Sequence, residues 1–219
     1  MKRTKLFLLL ISMLFAIAAT ASCGGGGGDG GGGGWPSGGG GPTSVNLPKT
    51  GQTTCYDAAG AVVACAGTGQ DGDLQKGVAW PSPRFTDNGN GTVKDNLTGL
   101  IWLKDANCFS RRTWAQALSD ANSLANGSCG LTDGSSAGNW RLPNRKELRS
   151  LINYSQANSA AWLNLPAQGF SNVQADYYWS SSTYAYGPAG AWGVNMGDGG
   201  VYGYGKTNSL YVWPVRAGQ

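Results

Sequence analysis

The chain has 219 residues, which allows one or two domains. It contains 37 glycines and nine tryptophans but no histidine, and its 16 Lys and Arg residues stand against 12 Asp and Glu residues. Without histidine the chain lacks the most frequent general base and the most frequent transition-metal ligand. We therefore expect no Cys–His or Ser–His catalytic pair, no metal centre and no cofactor.

Residues 1–22 have the features of a secretory signal peptide. A basic start precedes an apolar run from Leu6 to Ala19, and small residues follow up to Ser22. The run is too short to span a membrane. Cys23 comes next, as in bacterial lipoproteins, and lipidation would explain an otherwise unpaired cysteine in an oxidising compartment. We predict that Cys23 is lipidated and anchors the protein at the bacterial outer membrane or cell surface. The alternative is ordinary cleavage that leaves a free thiol.

Segment 23–44 consists mostly of glycine after the cysteine and shows no apolar periodicity. Glycine loses more backbone entropy on ordering than any other residue. We therefore predict a flexible tether with a reach of roughly 25 Å. The lipid would be the only membrane contact of the mature protein.

Cleavage of the signal peptide would also change the net charge. Lys2, Arg3 and Lys5 would be removed, which leaves 13 basic residues (16 minus 3) against 12 acidic ones. The mature protein would be nearly neutral and it contains no basic run. We expect no nucleic-acid partner.

Residues 45–83 are predicted to form an N-terminal β-hairpin extension. The turn residues Asp57 to Gly60 separate two short runs of strand-forming residues and bring Cys55 close to Cys65. Asp71-Gly72-Asp73 resembles part of a calcium loop. We interpret it as a turn, because further spaced carboxylates are missing.

The main domain is predicted to span residues 84–219, and it begins with strands. Asp87 to Gly91 has the composition of a turn, Thr92 to Asp95 alternates between polar and apolar residues, and Thr98 to Trp102 is typical of a buried strand. A helix is predicted next, because Thr113 and Gln116 have the spacing of a capping box. Its apolar stripe consists of Trp114, Ala117, Leu118, Ala121, Leu124 and Ala125, and Asn126-Gly127 ends it.

The four cysteines after Cys23 allow three disulfide connectivities. The predicted hairpin favours Cys55–Cys65 and leaves Cys108–Cys129, which bracket the helix. Secretion favours the oxidised state of both pairs.

The stretch Gly138 to Leu148 predicts a short strand followed directly by a second helix. Pro143 ends the strand because it lacks a backbone N–H, and Asn144 and Glu147 form a capping box. Apolar residues at helical spacing give this helix a buried face, and basic residues give it a solvated one. The buried residues are Leu148, Leu151 and Ile152, and the solvated ones are Arg145, Lys146 and Arg149.

The last third of the chain is interpreted as short strands joined by glycine turns, after a turn and connection at 160–170. We assign Trp179, Trp192 and Trp213 to the core, since aromatic residues favour burial in strands. Residues in or beside the glycine turns are predicted to form one contiguous aromatic–polar ligand-binding surface. These candidates are Tyr184, Tyr186, Asn195, Asp198, Tyr202, Tyr204, Lys206 and Asn208.

Several of these motifs resemble the Lcl C-terminal domain family, the end domain of collagen-like bacterial adhesins and of many secreted lipoproteins. The similarity rests on Trp140-Arg141-Leu142-Pro143-Asn144 with Glu147-Leu148, and on the hairpin that precedes Leu97-Thr98-Gly99-Leu100 and Trp102. It implies an α+β, C-type-lectin-like fold: two helices packed on a small twisted mixed or antiparallel sheet with long loops. Related motifs occur in retroelement-diversified variable proteins and in formylglycine-generating enzymes.

The resemblance implies an adhesin-type function, since characterised members recognise sulfated glycosaminoglycans. The calcium-dependent sugar motifs of animal C-type lectins are absent, so calcium and hexose specificity do not carry over. We expect a ligand-binding module for an extracellular glycan or protein. The alternatives are a structural envelope protein and, third, an enzyme of the formylglycine-generating type. The chain has no cysteine after Cys129 to support that chemistry, so we expect no enzyme.

Overall fold

The computed structural model describes residues 47–218, a stretch in which strands outnumber helices. The predicted signal peptide, the predicted lipidation site Cys23 and the predicted tether lie outside the described residues. In chain order the elements are β1 (Cys55–Tyr56), β2 (Val62–Val63), α1 (Asp71–Leu74), β3 (Phe85–Asp87), β4 (Thr92–Asp95), β5 (Ile101–Leu103), β6 (Arg111–Arg112), α2 (Trp114–Ser123), α3 (Arg145–Ser150), α4 (Ser159–Leu163), a 3₁₀ turn (Pro166–Gln168), β7 (Tyr177–Thr183), β8 (Gly190–Asn195), β9 (Val201–Gly205), β10 (Leu210–Tyr211) and β11 (Val215–Arg216).

Two sheets form the body of the main domain, which is α+β as predicted. One sheet has five strands in the order β6-β10-β7-β8-β9, and the other has four in the order β11-β5-β4-β3. The five-stranded sheet is mixed, because β10 runs parallel to β7 and antiparallel to β6. β10 and β11 belong to different sheets, so the chain passes from one sheet to the other between Tyr211 and Val215.

The five-stranded sheet lies between the two longest helices. Trp179 and Ala191 on one face pack against Ala117 and Ala121 of α2. On the opposite face, Tyr178 and Val194 belong to the same buried cluster as the apolar residues of α3. Adjacent strand residues point to opposite faces, so β7 and β8 contribute to both packing layers.

The main core is built from tryptophans that bridge the two sheets. Trp213 is fully buried, and its ring centroid lies 5.4 Å from that of Trp102, 5.1 Å from Phe170 and 5.6 Å from Tyr178. Its indole Nε1 donates to the carbonyl of Leu103 at 2.7 Å. The indole is thus both packed and hydrogen-bonded, which is what a buried tryptophan requires.

Both predicted capping boxes are present. Thr113 and Gln116 cap α2, and the Asn144 side chain accepts from the amides of Lys146 and Glu147 at the start of α3.

Two other interpretations from the sequence were wrong. Residues 160–170 contain α4 and a 3₁₀ turn, and Asn158 caps α4 by accepting from the Ala161 amide. Asp71–Leu74 is a single helical turn rather than a reverse turn.

The strand expected before Pro143 is reduced to one bridge between Arg141 and Val215. Trp140 and Leu142 are nevertheless buried on either side of it. Arg141 instead forms a two-point ion pair with Glu147, with both N–O distances at 2.7 Å. Glu147 therefore serves two partners, because it also accepts from the Asn144 amide at 2.8 Å.

Replacing Glu147 with Gln tests this double role. Burial alone would raise the pKa of Glu147, but the hydrogen bonds from Arg141 and from the Asn144 amide outweigh it and lower that pKa below the ordinary 4.5. A lowered pKa in the folded state stabilises the fold above pH 4.5, and this contribution is lost as the pH falls through the folded-state value. We expect Glu147→Gln to lower the free energy of unfolding by about 1–2 kcal/mol at pH 7. In urea titrations the difference should shrink below pH 4.5, and a difference that grew on acidification would contradict the assignment.

Both predicted disulfides are present. Cys55 and Cys65 have α-carbons 5.1 Å apart at the β1–β2 hairpin, and Cys108 and Cys129 have α-carbons 5.7 Å apart beside α2. Each joins segments that carry few buried side chains of their own. The bridges therefore hold these loops to the domain.

The N-terminal extension packs onto the main domain, and the two belong to one compact unit. The indole of Trp80 lies 5.8 Å from that of Trp162 and 4.5 Å from the guanidinium of Arg84. Arg84 in turn forms a buried ion pair with Asp95 at 2.8 Å. Within residues 47–218, no helix is long and apolar enough to cross a membrane.

Candidate ligand-binding site

The eight candidate residues do not form one surface. Tyr202 pairs with Gly193 and Tyr204 with Ala191, so both tyrosines lie on the α2 side of the sheet. Gly203 pairs with Trp192 and faces the other side. A Cβ atom at Gly203 would lie 3.0 Å from the ring of Tyr184, which therefore covers the α3 side. The predicted contiguous surface was wrong because strand alternation divides the aromatic residues between opposite faces.

On the α2 side, three tyrosines form a cluster that we call the tyrosine face: Tyr177, Tyr202 and Tyr204. The ring of Tyr177 lies 4.9 Å from that of Tyr204 and 5.9 Å from that of Tyr202. Burial and the hydrogen bond with Tyr177 raise the pKa of Tyr204 to about 12. Tyr202 is 58 % exposed. This face offers apolar area and hydroxyl groups, and Tyr204 stays protonated across the physiological pH range.

On the α3 side, Trp192 lies at the centre of an open pocket of about 340 Å³, which we call the tryptophan pocket. Its lining residues are Asn144, Arg145, Lys146, Ser182 and Trp192. Trp192 is half-buried rather than a core residue, so its assignment to the core was wrong. The other two tryptophans assigned to the core, Trp179 and Trp213, are fully buried.

Trp192 is held by aromatic and cationic contacts. The ring of Tyr184 meets it edge-on at 4.7 Å, and the guanidinium of Arg145 lies 4.7 Å from its centroid. Tyr186 extends the cluster outward, 6.1 Å from Tyr184 and 92 % exposed. Trp192 therefore keeps its position before a ligand arrives, and the entropic cost of binding is lower for such a side chain.

The positive charge of the pocket comes from side chains. Arg145 and Lys146 have no carboxylate within 4.0 Å among residues 47–218, where six other basic residues form ion pairs. The first amides of α3 are already bonded, since Ser182 Oγ accepts from the Arg145 amide at 3.2 Å and Asn144 accepts from the next two. An anionic group in this pocket would therefore meet the guanidinium and the ammonium.

The remaining candidates lie elsewhere. Asn195 accepts from the Gly197 amide at 2.7 Å and Asp198 from the Gly200 amide at 2.8 Å, so both side chains shape the β8–β9 turn. The Lys206 ammonium lies 4.1 Å from the ring of Trp114 on the α2 side. Asn208 is exposed in the turn between β9 and β10.

Sequence reasoning missed most residues of the tryptophan pocket. Asn144, Arg145 and Lys146 were interpreted only as a helix cap and a solvated face, and Ser182 only as part of a strand. Adjacent residues of β8 face opposite sides of the sheet, so the sequence around Trp192 could have indicated that its side chain lies on a different face from Ala191 and Gly193. In the described part of the chain, no group of three Cys, Asp or Glu side chains is arranged to hold a metal ion.

The chain is similar to a known protein family. A family model described as the Lcl C-terminal domain matches residues 91–216. The matched range contains both aromatic clusters, α2, α3 and every residue of the tryptophan pocket, whereas the N-terminal extension precedes it. No curated protein matches the chain.

Proposed function

The chain belongs to the Lcl C-terminal domain family, and from this premise we propose that it is a surface lipoprotein that presents an adhesin-type, C-type-lectin-like ligand-binding domain. The proposed ligand is an extracellular glycan that carries acidic groups. The proposed binding site is the tryptophan pocket, with Tyr184 and Tyr186 at its edge. The other candidate residues named from the sequence lie outside this pocket.

The partly exposed indole of Trp192 carries the proposal. A sugar ring stacks its apolar C–H face on an aromatic ring, and the surrounding hydroxyl and amide groups of Ser182 and Asn144 can bind its hydroxyl groups. Arg145 and Lys146 add charge for a carboxylate or sulfate group. A pocket of about 340 Å³ suits a small moiety of this kind better than a protein, which needs a broad contact surface.

The other two functions have less support. A purely structural envelope protein would not need a partly exposed indole in a cationic pocket. For an enzyme, no carboxylate lines the pocket, and the oxygens of Glu147 in the first turn of α3 already bind Arg141 and the Asn144 amide. We propose that the protein is not an enzyme.

A glycan array tests the function. The secreted chain carrying Cys23→Ser, which lacks a lipid, would be fluorescently labelled and applied at low and at physiological salt. We expect binding to acidic glycans, weaker at the higher salt concentration because screening reduces charge attraction. Binding to neutral glycans alone, or to none, would contradict the proposed ligand class.

Lipidation of Cys23 is tested separately. Cells that express the wild-type chain and the Cys23→Ser variant would be grown with an alkyne-tagged fatty acid. We expect label in the wild type only and loss of the variant from the outer-membrane fraction. Equal labelling of both chains would exclude Cys23 as the anchor.

A further inference from the structure

A second pocket lies between the N-terminal extension and the end of α3. Residues 47–50 and Trp80 form one wall, and Ile152 and Tyr154 form the other. The volume is about 460 Å³, within the range of small-molecule sites. We call it the extension groove.

The walls of the groove are apolar and fixed. Ile152 in one wall is almost fully buried, while Leu47 in the other is 66 % exposed. Trp80 is held at one side because its Nε1 donates to the carbonyl of Lys49 at 2.8 Å and its ring packs on Trp162. Tyr154 is held at the other side, since its hydroxyl accepts from Arg149 Nε at 3.0 Å.

The rim of the groove is positive. Lys49, Lys146 and Arg149 line it, and no carboxylate lies within 4.0 Å of their charged groups in the part of the chain that the structure describes. Lys146 and Arg149 are three residues apart in sequence, so their side chains are neighbours on the surface of the helical turn. The Lys49 ammonium meets only the amide oxygen of Gln75, at 3.4 Å.

Nearby acidic groups do not cancel this charge. Asp95 is already paired with the buried Arg84, whose guanidinium also donates to the carbonyl of Ser150 in the groove wall. The turn that contains Asp198 touches Tyr154 through Gly199, but the Asp198 carboxylate accepts from the Gly200 amide within that turn. The Asp71 carboxylate accepts from the hydroxyl of Thr50 in the groove wall, but it forms no ion pair with the three basic residues. The groove therefore combines apolar walls with three cations that form no ion pair among the described residues.

We propose that the extension groove binds a single-chain amphiphile with a negatively charged head, such as a fatty acid. The alkyl chain would lie against Leu47, Trp80 and Ile152, where it removes apolar surface from water. The carboxylate would lie between Lys146 and Arg149, where two cations match its charge. A neutral alkyl ligand would leave the cations without a partner, and a polar anion would leave the apolar walls exposed. The groove is thus distinct from the tryptophan pocket, although Lys146 borders both.

Titration calorimetry with laurate below its critical micelle concentration tests the proposal. The protein is the secreted chain carrying Cys23→Ser. We expect saturable binding of one laurate, with affinity lowered about tenfold by Arg149→Gln and about threefold to tenfold by Leu47→Ser. Lys94→Gln removes an exposed charge of β4 outside the groove and should leave the affinity unchanged. Dodecyltrimethylammonium, with the same chain and a positive head, should not bind.

Three results would overturn the proposal. They are equal binding of the cationic amphiphile, laurate affinity unaffected by Arg149→Gln and Leu47→Ser, and no binding of laurate at all. Trp192→Ala separates this site from the proposed function. That variant should lose glycan binding and keep laurate binding.

Discussion

Replacing Asp95 with Asn is expected to lower the free energy of unfolding by about 3–5 kcal/mol, the largest effect on stability of any substitution considered for this protein. Asp95 is completely buried. Its two oxygens accept from Arg84 Nε at 2.8 Å and Nη2 at 3.0 Å. They also accept from the Leu97 amide and the Thr98 hydroxyl, so the carboxylate fixes the turn after β4 as well.

The loss of stability arises because the Arg84 guanidinium stays buried without its counter-charge. The side chain of Arg84 is only 4 % exposed, so its charge cannot recover a hydration shell after Asp95 is neutralised. Arg84 also connects the extension to the core, because it stacks on Trp80 and Phe85 and donates to the carbonyl of Ser150. The Asp95→Asn variant should therefore loosen the extension first.

Urea unfolding followed by circular dichroism measures the effect. Asp120→Asn is the matched control, since Asp120 pairs with Arg112 at a similar distance of 2.7 Å but both side chains are about one-third exposed. Exposed ion pairs contribute little, so the control should lose at most about 1 kcal/mol. Equal losses for the two variants would mean that burial of the Arg84–Asp95 pair does not determine its effect.

Replacing Trp192 with Ala is expected to produce the largest loss of ligand affinity. Truncating a tryptophan that is a binding hot spot typically costs about 2–4 kcal/mol of binding free energy, which corresponds to a loss of about 30-fold or more in affinity. The substitution removes the surface on which the ligand stacks and the partner that positions Arg145. The affinity would be measured by calorimetry with the best acidic glycan from the array.

Tyr202→Ala is the matched control for Trp192→Ala. Tyr202 is also a partly exposed aromatic residue of the same sheet, but it lies on the opposite face, 5.9 Å from Tyr177. We expect the Tyr202→Ala variant to bind the acidic glycan with the affinity of the wild type. Both variants should melt within a few degrees of the wild type, because partly exposed side chains contribute modestly to stability. A larger loss for Tyr202→Ala than for Trp192→Ala would move the site to the tyrosine face.

Local patterns predicted much of the fold. The capping boxes at Thr113 and Asn144 depend on residues three positions apart, and the β1–β2 hairpin depends on one four-residue turn. The family was also predicted correctly from short motifs, and the match at residues 91–216 confirms it. Such features are determined by neighbours in sequence, so they can be read without knowledge of the fold.

The features that could not be predicted from the sequence depend on packing between distant parts of the chain. Trp192 and Trp179 are both aromatic residues in apolar strands, yet only Trp179 is covered by α2. The exposure of Trp192 depends on where the short α3 begins and on the register shift between Trp179 and Thr183 in β7. The β3–β4 hairpin places Arg84 beside Asp95, but the burial of this pair depends on Trp80 and on the end of α3 packing around Arg84. No periodicity in the sequence carries this information.

The indole signals of the nine tryptophans report most directly where the ligand binds. In ¹H–¹⁵N spectra of the labelled secreted chain carrying Cys23→Ser, Trp192→Phe identifies the Trp192 Nε1–H signal, and the acidic glycan is then added stepwise. The proposed site predicts that the Trp192 indole and the Arg145 side-chain signals shift with the same saturation curve, while the indoles of Trp179 and Trp213 and the amide of Tyr202 stay in place. Shifts centred on Tyr177, Tyr202 and Tyr204, with the Trp192 indole unmoved, would contradict it.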